Sequence, residues 1–592
     1  DGLTGDEFNW VDQSVPHGEK IIVSDDAFYI NECDPDHSTP ATKTKVEDNM
    51  GNFVSFENTR GHSDKNYCDV MRGFPPERLP VLTTLAQEFA VMDKFFCSHP
   101  GPTWPNRMFC LSATSAGSTE TGTWYHSKVG SLFPQQTIFD QVDAAGLEWR
   151  NYFNDTPWEL FMESIAHSPE NLKNMDTFYS DARKGNLPSY AWINPRSGVN
   201  MTTGEGSQDQ HPDHDVAFGE RYIKDIYEAL RASPQWNETL FVVTYDEHGG
   251  FYDHVQPPVD IPAPGDEETS YPDAGYDFTK LGVRIPTVLV SPWIKKGTII
   301  SDPPPMQKPF SNSKYDLTSI MSSARKLLGM PLQNLTDRDG WAGTFEHVVT
   351  ELGTPRKDCP IHLPSAPAPT IVDEGRLPLN DLQKDIADVH SHVAFGASPS
   401  QELHKMSQGD ISEWLQNAYN VHAEQTLRWK QSKIKTNYSI VCKPHKLTTF
   451  KEKSFQVHPN HTTSSYSTIS TMTLANREQE HYCLDSGGAL AGSPVGISLC
   501  YPSPIVSQNR DKAQHWRVLN DATIRPFQND SLCITNNDPN TDLHNVSVRN
   551  AVYLDVCDGR VEQFYSYHST ARDGIVAGEF LYGDDANVLG VQ

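Results

Sequence analysis

The chain has 592 residues, 37% of them hydrophobic and 10% aromatic, and a formal net charge of -29. That length exceeds what one hydrophobic core serves and predicts three or four folded units. The acidic balance argues against a nucleic-acid partner and against electrostatic docking on anionic membranes, and no apolar run approaches the ~20 residues of a transmembrane segment.

The chain opens at Asp1 without a charged and apolar leader, so any signal peptide is expected to have been removed already. Up to about Cys359, short β-prone apolar runs alternate with amphipathic stretches. In the segment Ser98-His99-Pro100-Gly101-Pro102-Thr103-Trp104-Pro105, Thr103 stands where an N-cap would, with Pro105 in the first turn of a helix through Met108 and Leu111. Residues 218–231 carry Tyr222, Ile223, Ile226, Tyr227 and Leu230 at helical spacing, and Ser233-Pro234 stops the run. Residues 240–245 and 285–290 read as buried strands, the second with Pro286 near its beginning. This alternation predicts an α/β domain with a largely parallel sheet. Prolines 364, 367 and 369 mark a linker or strap, residues 377–435 read as helical, and from Asn437 the composition shifts to short strands rich in Thr, Ser and Asn. The expected division is therefore 1–362, 363–436 and 437–592.

Ten cysteines contain no Cys-x-x-Cys pair, which argues against zinc ribbons and thioredoxin-type chemistry. Eight Asn-x-Ser/Thr sequons begin at Asn154, Asn200, Asn237, Asn334, Asn437, Asn460, Asn529 and Asn545. That density beside an even cysteine count predicts a secreted, disulfide-bonded glycoprotein. Asn154 is the weakest acceptor among them, because Pro157 follows Thr156.

Three segments carry candidate chemistry. In Thr244-Tyr245-Asp246-Glu247-His248-Gly249-Gly250, two adjacent carboxylates leave a strand end for a glycine turn. Ligand crevices of open α/β sheets lie outside such ends, and neighbouring carboxylates repel unless a proton or cation is shared, so Asp246 and Glu247 are candidate ligands of a divalent metal ion. A solvated acidic turn is the plainer alternative. Thr103 at a helix start faces free N–H groups and the positive end of the helix dipole, a place for a phosphoryl oxygen; an ordinary capping threonine is its alternative. His211-Pro212-Asp213-His214-Asp215 offers two histidines that can bind metal, hold phosphate or protonate a leaving oxygen. His37, in Asp34-Pro35-Asp36-His37-Ser38, and His254, in Tyr252-Asp253-His254, are weaker candidates individually.

Taken together, residues 244–255, Gly101-Pro102-Thr103-Trp104-Pro105-Asn106-Arg107, residues 211–216 and residues 230–240 resemble the phosphoesterase family. Its members include plant non-specific phospholipases C, bacterial phospholipases C and a group of acid phosphatases. Residues 290–294, 338–346 and 355–360 extend the resemblance, which covers Asp1 to about residue 365 and is nearest the plant enzymes. It implies an alkaline-phosphatase-like fold. It also implies that Thr103 attacks phosphorus to form a phosphoryl-enzyme intermediate and that Asp246 and Glu247, with Thr103, hold a metal. His37, His211 and His214 would then bind phosphate oxygens and move protons, with His254 assisting and Asn106 contacting substrate.

Two departures from the family pattern stand out. The family carries an early Glu-Asn-Arg-Ser-Phe-Asp-His motif whose Glu and Asn complete the metal site. This sequence begins at Asp1-Gly2-Leu3-Thr4-Gly5, which resembles the stretch downstream of that motif, and Glu57-Asn58 falls too late to replace it. The expectation is that the domain's start is missing from the sequence, was clipped, or that half the metal site is lost. In addition, Leu317 stands where the family usually has a histidine, and leucine neither ligates nor moves a proton.

The pattern Cys483-Leu484-Asp485, Cys500, Gln514-His515-Trp516, then Cys533, Cys557 and Gln563-Phe564-Tyr565 resembles ricin-type β-trefoil repeats. That resemblance implies disulfides Cys483–Cys500 and Cys533–Cys557 and a glycan ligand at Asp485, with a purely structural trefoil as the alternative; the first repeat lacks the signature.

The expected function is that of a secreted, metal-dependent phosphoesterase acting on phospholipid head groups or on small phosphate esters. The rival expectation is a catalytically impaired scaffold serving as an extracellular structural or carbohydrate-binding glycoprotein.

Overall fold

The computed structural model describes residues 2–15, 17–31, 33–122, 132–265, 276, 278–370, 374–396 and 402–436, together with the backbone of short strands between Phe455 and Val588. The run 240–245 forms strand Phe241–Thr244, and 285–290 forms Thr287–Val290. They lie in a four-stranded sheet ordered Thr298–Ile300, Ala90–Met92, Thr287–Val290, Phe241–Thr244. Thr298–Ile300 runs parallel to Ala90–Met92, but Thr287–Val290 is antiparallel to both of its neighbours. The expectation of a largely parallel sheet is thus corrected to a mixed one here. A parallel return needs a crossover helix, and none occurs among the described residues between 245 and 286. A second, three-stranded sheet, Leu172–Asn174, Trp149–Phe153 and Tyr190–Asn194, is wholly parallel.

The amphipathic run at 218–231 becomes helix Val216–Ala232, longer at its start because Asp215 accepts a hydrogen bond from the Ala217 N–H at 2.9 Å and caps it. Its Tyr222, Ile226 and Leu230 pack into one hydrophobic cluster with Val288, Leu289 and Val290 of the mixed sheet. The second core gathers helix Thr103–Ser112 and the parallel sheet around Trp104, Trp149 and Phe153. The predicted helical stretch yields Asp381–Phe395 and Gln408–Thr436. Their Ile386, Val389 and Leu415 belong to that second cluster, so both helices are built into the same core as Trp104.

Among the described residues no helix is long and apolar enough to cross a membrane. Cys33 and Cys68 form a disulfide, while Cys97, Cys110 and Cys359 are free and buried. In the C-terminal region the backbone of His481–Asp485 pairs antiparallel with Gly496–Leu499, and that of Leu532–Thr535 with Tyr553–Val556. Closure into a trefoil, the pairings Cys483–Cys500 and Cys533–Cys557, and the Asp485 side chain lie outside the described residues.

Candidate active site

Strand Phe241–Thr244 delivers Asp246 and Glu247 to a turn whose Gly249 and Gly250 have φ of 63° and 76°. Gly250 also lets another loop approach: a Cβ there would lie 2.8 Å from Pro35 Cβ and 2.9 Å from Pro35 O. The approaching loop carries Asp34 and His37. It is fastened by the buried Lys45 ammonium, which donates to Asp36 O at 2.7 Å and to Gly250 O at 3.2 Å and pairs with Glu57 at 2.7 Å. The glycine turn and the His37 loop therefore form one wall. Glu57 is spent on this wall, and Asn58 donates to Val11 O, so neither joins the carboxylates.

His37 Nε2 lies 3.9 Å from Glu247 Oε1, and its Nδ1–H donates to Pro35 O at 2.8 Å. Its ring centre is 5.8 Å from that of His211, which is in turn 5.8 Å from that of His214. Each of the latter two is oriented by a carboxylate: His211 Nδ1–H donates to Asp213 and His214 Nδ1–H to Asp209, both at 2.6 Å. His211 Nε2 is 3.9 Å from Asp34. One ligand atom each from Asp34, His37 and His211 lies within 4.8 Å of the others, a group able to hold a metal ion.

Burial opposes charge throughout this cluster, and the carboxylates outweigh it. His211 is pushed up to about 10 by the Asp213 hydrogen bond and by Asp34, and His214 to about 9 by Asp209 and Asp213. His37 is raised by Glu247 and Asp34. Asp213 is held far below the ordinary carboxylate range, where burial loses to the two imidazoles. Near neutral pH the cluster thus presents imidazolium groups suited to phosphate oxygens. Glu247 behaves oppositely: burial raises it, only partly offset by His37, and Asp246 adds to the rise.

Thr103 corrects one expectation. Pro102 holds the N-cap position and Thr103 is the first helical residue, so its side chain caps nothing. Thr103 is 3% exposed, and among the described residues no hydrogen bond engages its hydroxyl. Asn106 is not turned towards this space. Its amide donates to His99 O, Gly101 O and Pro102 O and accepts from the His99 N–H, which fixes the loop that presents Thr103. One turn after Thr103, Arg107 Nε donates to Asp246 Oδ2 at 2.9 Å, and its Nη1 donates to the buried Glu159 and to Asn194, each at 3.0 Å. Arg107 therefore ties the Thr103 helix to the carboxylate edge.

The structure brings Asp246, Glu247, His37, His211 and His214 together. His254 stands apart: its backbone and ring engage Asp253, which is itself gripped by Arg284. Leu317 sits in the hydrophobic cluster behind the sheet, 1% exposed. The sequence reading missed Arg107, Asp34 and Asp209 as site residues. Asp34 had a visible signal in its proximity to His37, and Arg107 in its place at the end of the Gly101–Arg107 motif; its pairing with Asp246, 139 residues away, had none.

Residues 1–331 match the model of the Phosphoesterase family. Non-specific phospholipase C6 of Arabidopsis thaliana is 41% identical over 431 residues, 70% of this chain and 80% of that protein. Non-specific phospholipase C4 of the same plant is 34% identical over 471 residues, 75% and 84% of the two chains. Phospholipase C B of Mycobacterium tuberculosis is 27% identical over 325 residues, 49% and 58% of the two.

Proposed function

The chain belongs to the phosphoesterase family and is a phosphoric ester hydrolase, and we propose that it cleaves the head-group phosphodiester of phospholipids with Thr103 as nucleophile. The observation that carries this reading is the Thr103 hydroxyl, buried and unengaged, one helical turn from the arginine that grips Asp246.

In the proposed reaction Thr103 Oγ1 gives up its proton to solvent as it attacks phosphorus, and the bond from phosphorus to the glyceride oxygen breaks. An imidazolium of the His37, His211 and His214 group delivers a proton to that oxygen. The same histidines hold the phosphate oxygens, and Asp209 and Asp213 keep His214 and His211 charged and aimed. Water then releases the head-group phosphate from Thr103.

A divalent cation fits beside Glu247, whose side chain is 6% exposed and whose burial favours neutralisation. Asp246 and Glu247 would hold it, with Thr103 as the third expected ligand. When bound, such an ion supplies positive charge that lowers the pKa of a nearby hydroxyl. Small phosphomonoesters are the alternative substrate class. Export as a glycoprotein is part of the proposal and rests on the sequons: Asn237 and Asn334 are exposed, whereas the Asn154 amide is taken by Gln208 and Arg196.

A non-catalytic scaffold is the rival, favoured by Leu317 and by the Arg107 pairing that already satisfies Asp246. The deciding experiment is hydrolysis of a choline phospholipid and of a chromogenic phosphomonoester by the full-length protein, divalent metals supplied. Wild type should release phosphocholine, and Thr103→Ala should lose about 10³-fold or more. Equal rates, or none from wild type on either substrate, would overturn the assignment.

A further inference from the structure

The strands Thr298–Ile300, Ala90–Met92 and Phe241–Thr244 all run in one direction, because the single strand reversed against them, Thr287–Val290, is antiparallel to the latter two. Their C-terminal ends therefore emerge at one edge of the sheet. One end delivers Asp246 and Glu247; another delivers residues 301–313, three strand spacings away, about 14 Å. From that loop the chain passes directly into Tyr315–Asp316, which pairs in parallel with Phe95–Phe96, the strand that leads on to the Thr103 loop. Asp316 accepts from Ser98 Oγ at 3.0 Å on the way.

The loop's composition is unusual for a solvated connection. Met306 is 87% exposed and Phe310 57% exposed, and Lys308 stands between them in sequence. The apolar tips are not loose. Pro303, Pro304, Pro305 and Pro309 restrict the backbone, residues Pro305–Gln307 form a 3-10 turn, and the Thr344 N–H donates to Gln307 O at 3.1 Å. The Ser313 N–H donates to Phe310 O, and Ser313 Oγ accepts from the Phe310 N–H at 2.9 Å. Asp302 is paired with Lys314 and also feels the charge of Lys308. A rigid loop holding a thioether and a phenyl ring in water gains little from folding alone and much from transfer into an apolar phase.

We propose that residues 303–310 are an interfacial anchor. Met306 and Phe310 enter the acyl boundary of a phospholipid surface, and Lys308 meets a lipid phosphate, at the edge of the sheet where the hydrolytic site opens. This inference rests on the phospholipid reading of that site. The formal charge of -29 disfavours attraction to an anionic leaflet, so the surface that fits is zwitterionic and the contact is apolar rather than electrostatic.

The test is co-sedimentation of the full chain with phosphatidylcholine vesicles, run beside hydrolysis of a water-soluble chromogenic phosphomonoester. The M306S/F310S double variant should bind vesicles about tenfold more weakly or worse, with unchanged turnover of the soluble ester. Ile361→Ser, which removes an equally exposed apolar side chain elsewhere, should bind as wild type does. Vesicle binding unaffected by the double variant, an equal loss in Ile361→Ser, or no binding by wild type would overturn the anchor. So would a wild-type dimer that the double variant abolishes in the absence of lipid binding. The soluble ester reports on the site and the vesicles on the loop, so failure of either reading is seen separately.

Discussion

The charge state of individual histidines decides what this pocket can hold. His214 is fully buried yet raised to about 9, because Asp209 at 2.6 Å and Asp213 outweigh the cost of burying its charge. A histidine raised above its ordinary value contributes stability that is fully present below about 6.5 and lost as pH climbs through the folded value. For His214 that loss falls near pH 9, and for His211, raised to about 10, somewhat higher. Thermal unfolding followed from about pH 7 to about pH 10 should therefore show a falling midpoint. The fall should be shallower in His214→Gln; an unchanged slope in that variant would mean that His214 is not held charged. The pairing of histidines with acids was partly visible in the sequence, where His211, Asp213 and His214 are near neighbours. The placement of Asp34 beside His211, and of Arg107 on Asp246, depends on chain crossings that local spacing does not encode.

Elements settle how those residues are held. Helix Asp381–Phe395 opens with a capping box in which Asn380 Oδ1 accepts from the Gln383 N–H at 2.8 Å. The other end of the Asn380 amide donates to Asp213 at 3.2 Å, so a helix cap also braces the carboxylate that orients His211. Asn380→Ala should cost about 1 kcal/mol of stability through the lost cap and should lower kcat. Asn380→Ser, which keeps a capping oxygen and removes the amide group that reaches Asp213, should restore stability without restoring kcat. Urea unfolding and initial rates separate the two, and full activity in both variants would remove Asn380 from the positioning of the site. The helix itself was legible from its apolar spacing. Its contact with Asp213 was not, since a proline-rich stretch reads as a separator and says nothing of where the chain returns. The strand Phe241–Thr244 was likewise legible as an apolar run, but it is half-buried at the sheet edge rather than buried, and its antiparallel partner was not legible, because apolar strands look alike in either sense.

On the scale of the whole chain, the resemblance of the motifs reached the family, and Asp246, Glu247, His37, His211 and His214 do meet, while the geometry sets His254 and Asn106 apart. Thr103 is a first-turn residue with a spare hydroxyl rather than a cap, and Asn106 serves the loop before it. Both changes suit the proposed nucleophile: the hydroxyl is not spent on a cap, and the loop before it is fixed. Arg107 then couples the helix that begins at Thr103 to the edge carrying Asp246 and Glu247. The measurement that bears on this most directly is acid quenching of the full-length protein during turnover of a choline phospholipid, followed by mass analysis of the peptide containing Thr103. A phosphocholine adduct on Thr103 should form before product and vanish in Thr103→Ala. Steady turnover with an unmodified Thr103 peptide, or the adduct on another residue, would contradict it.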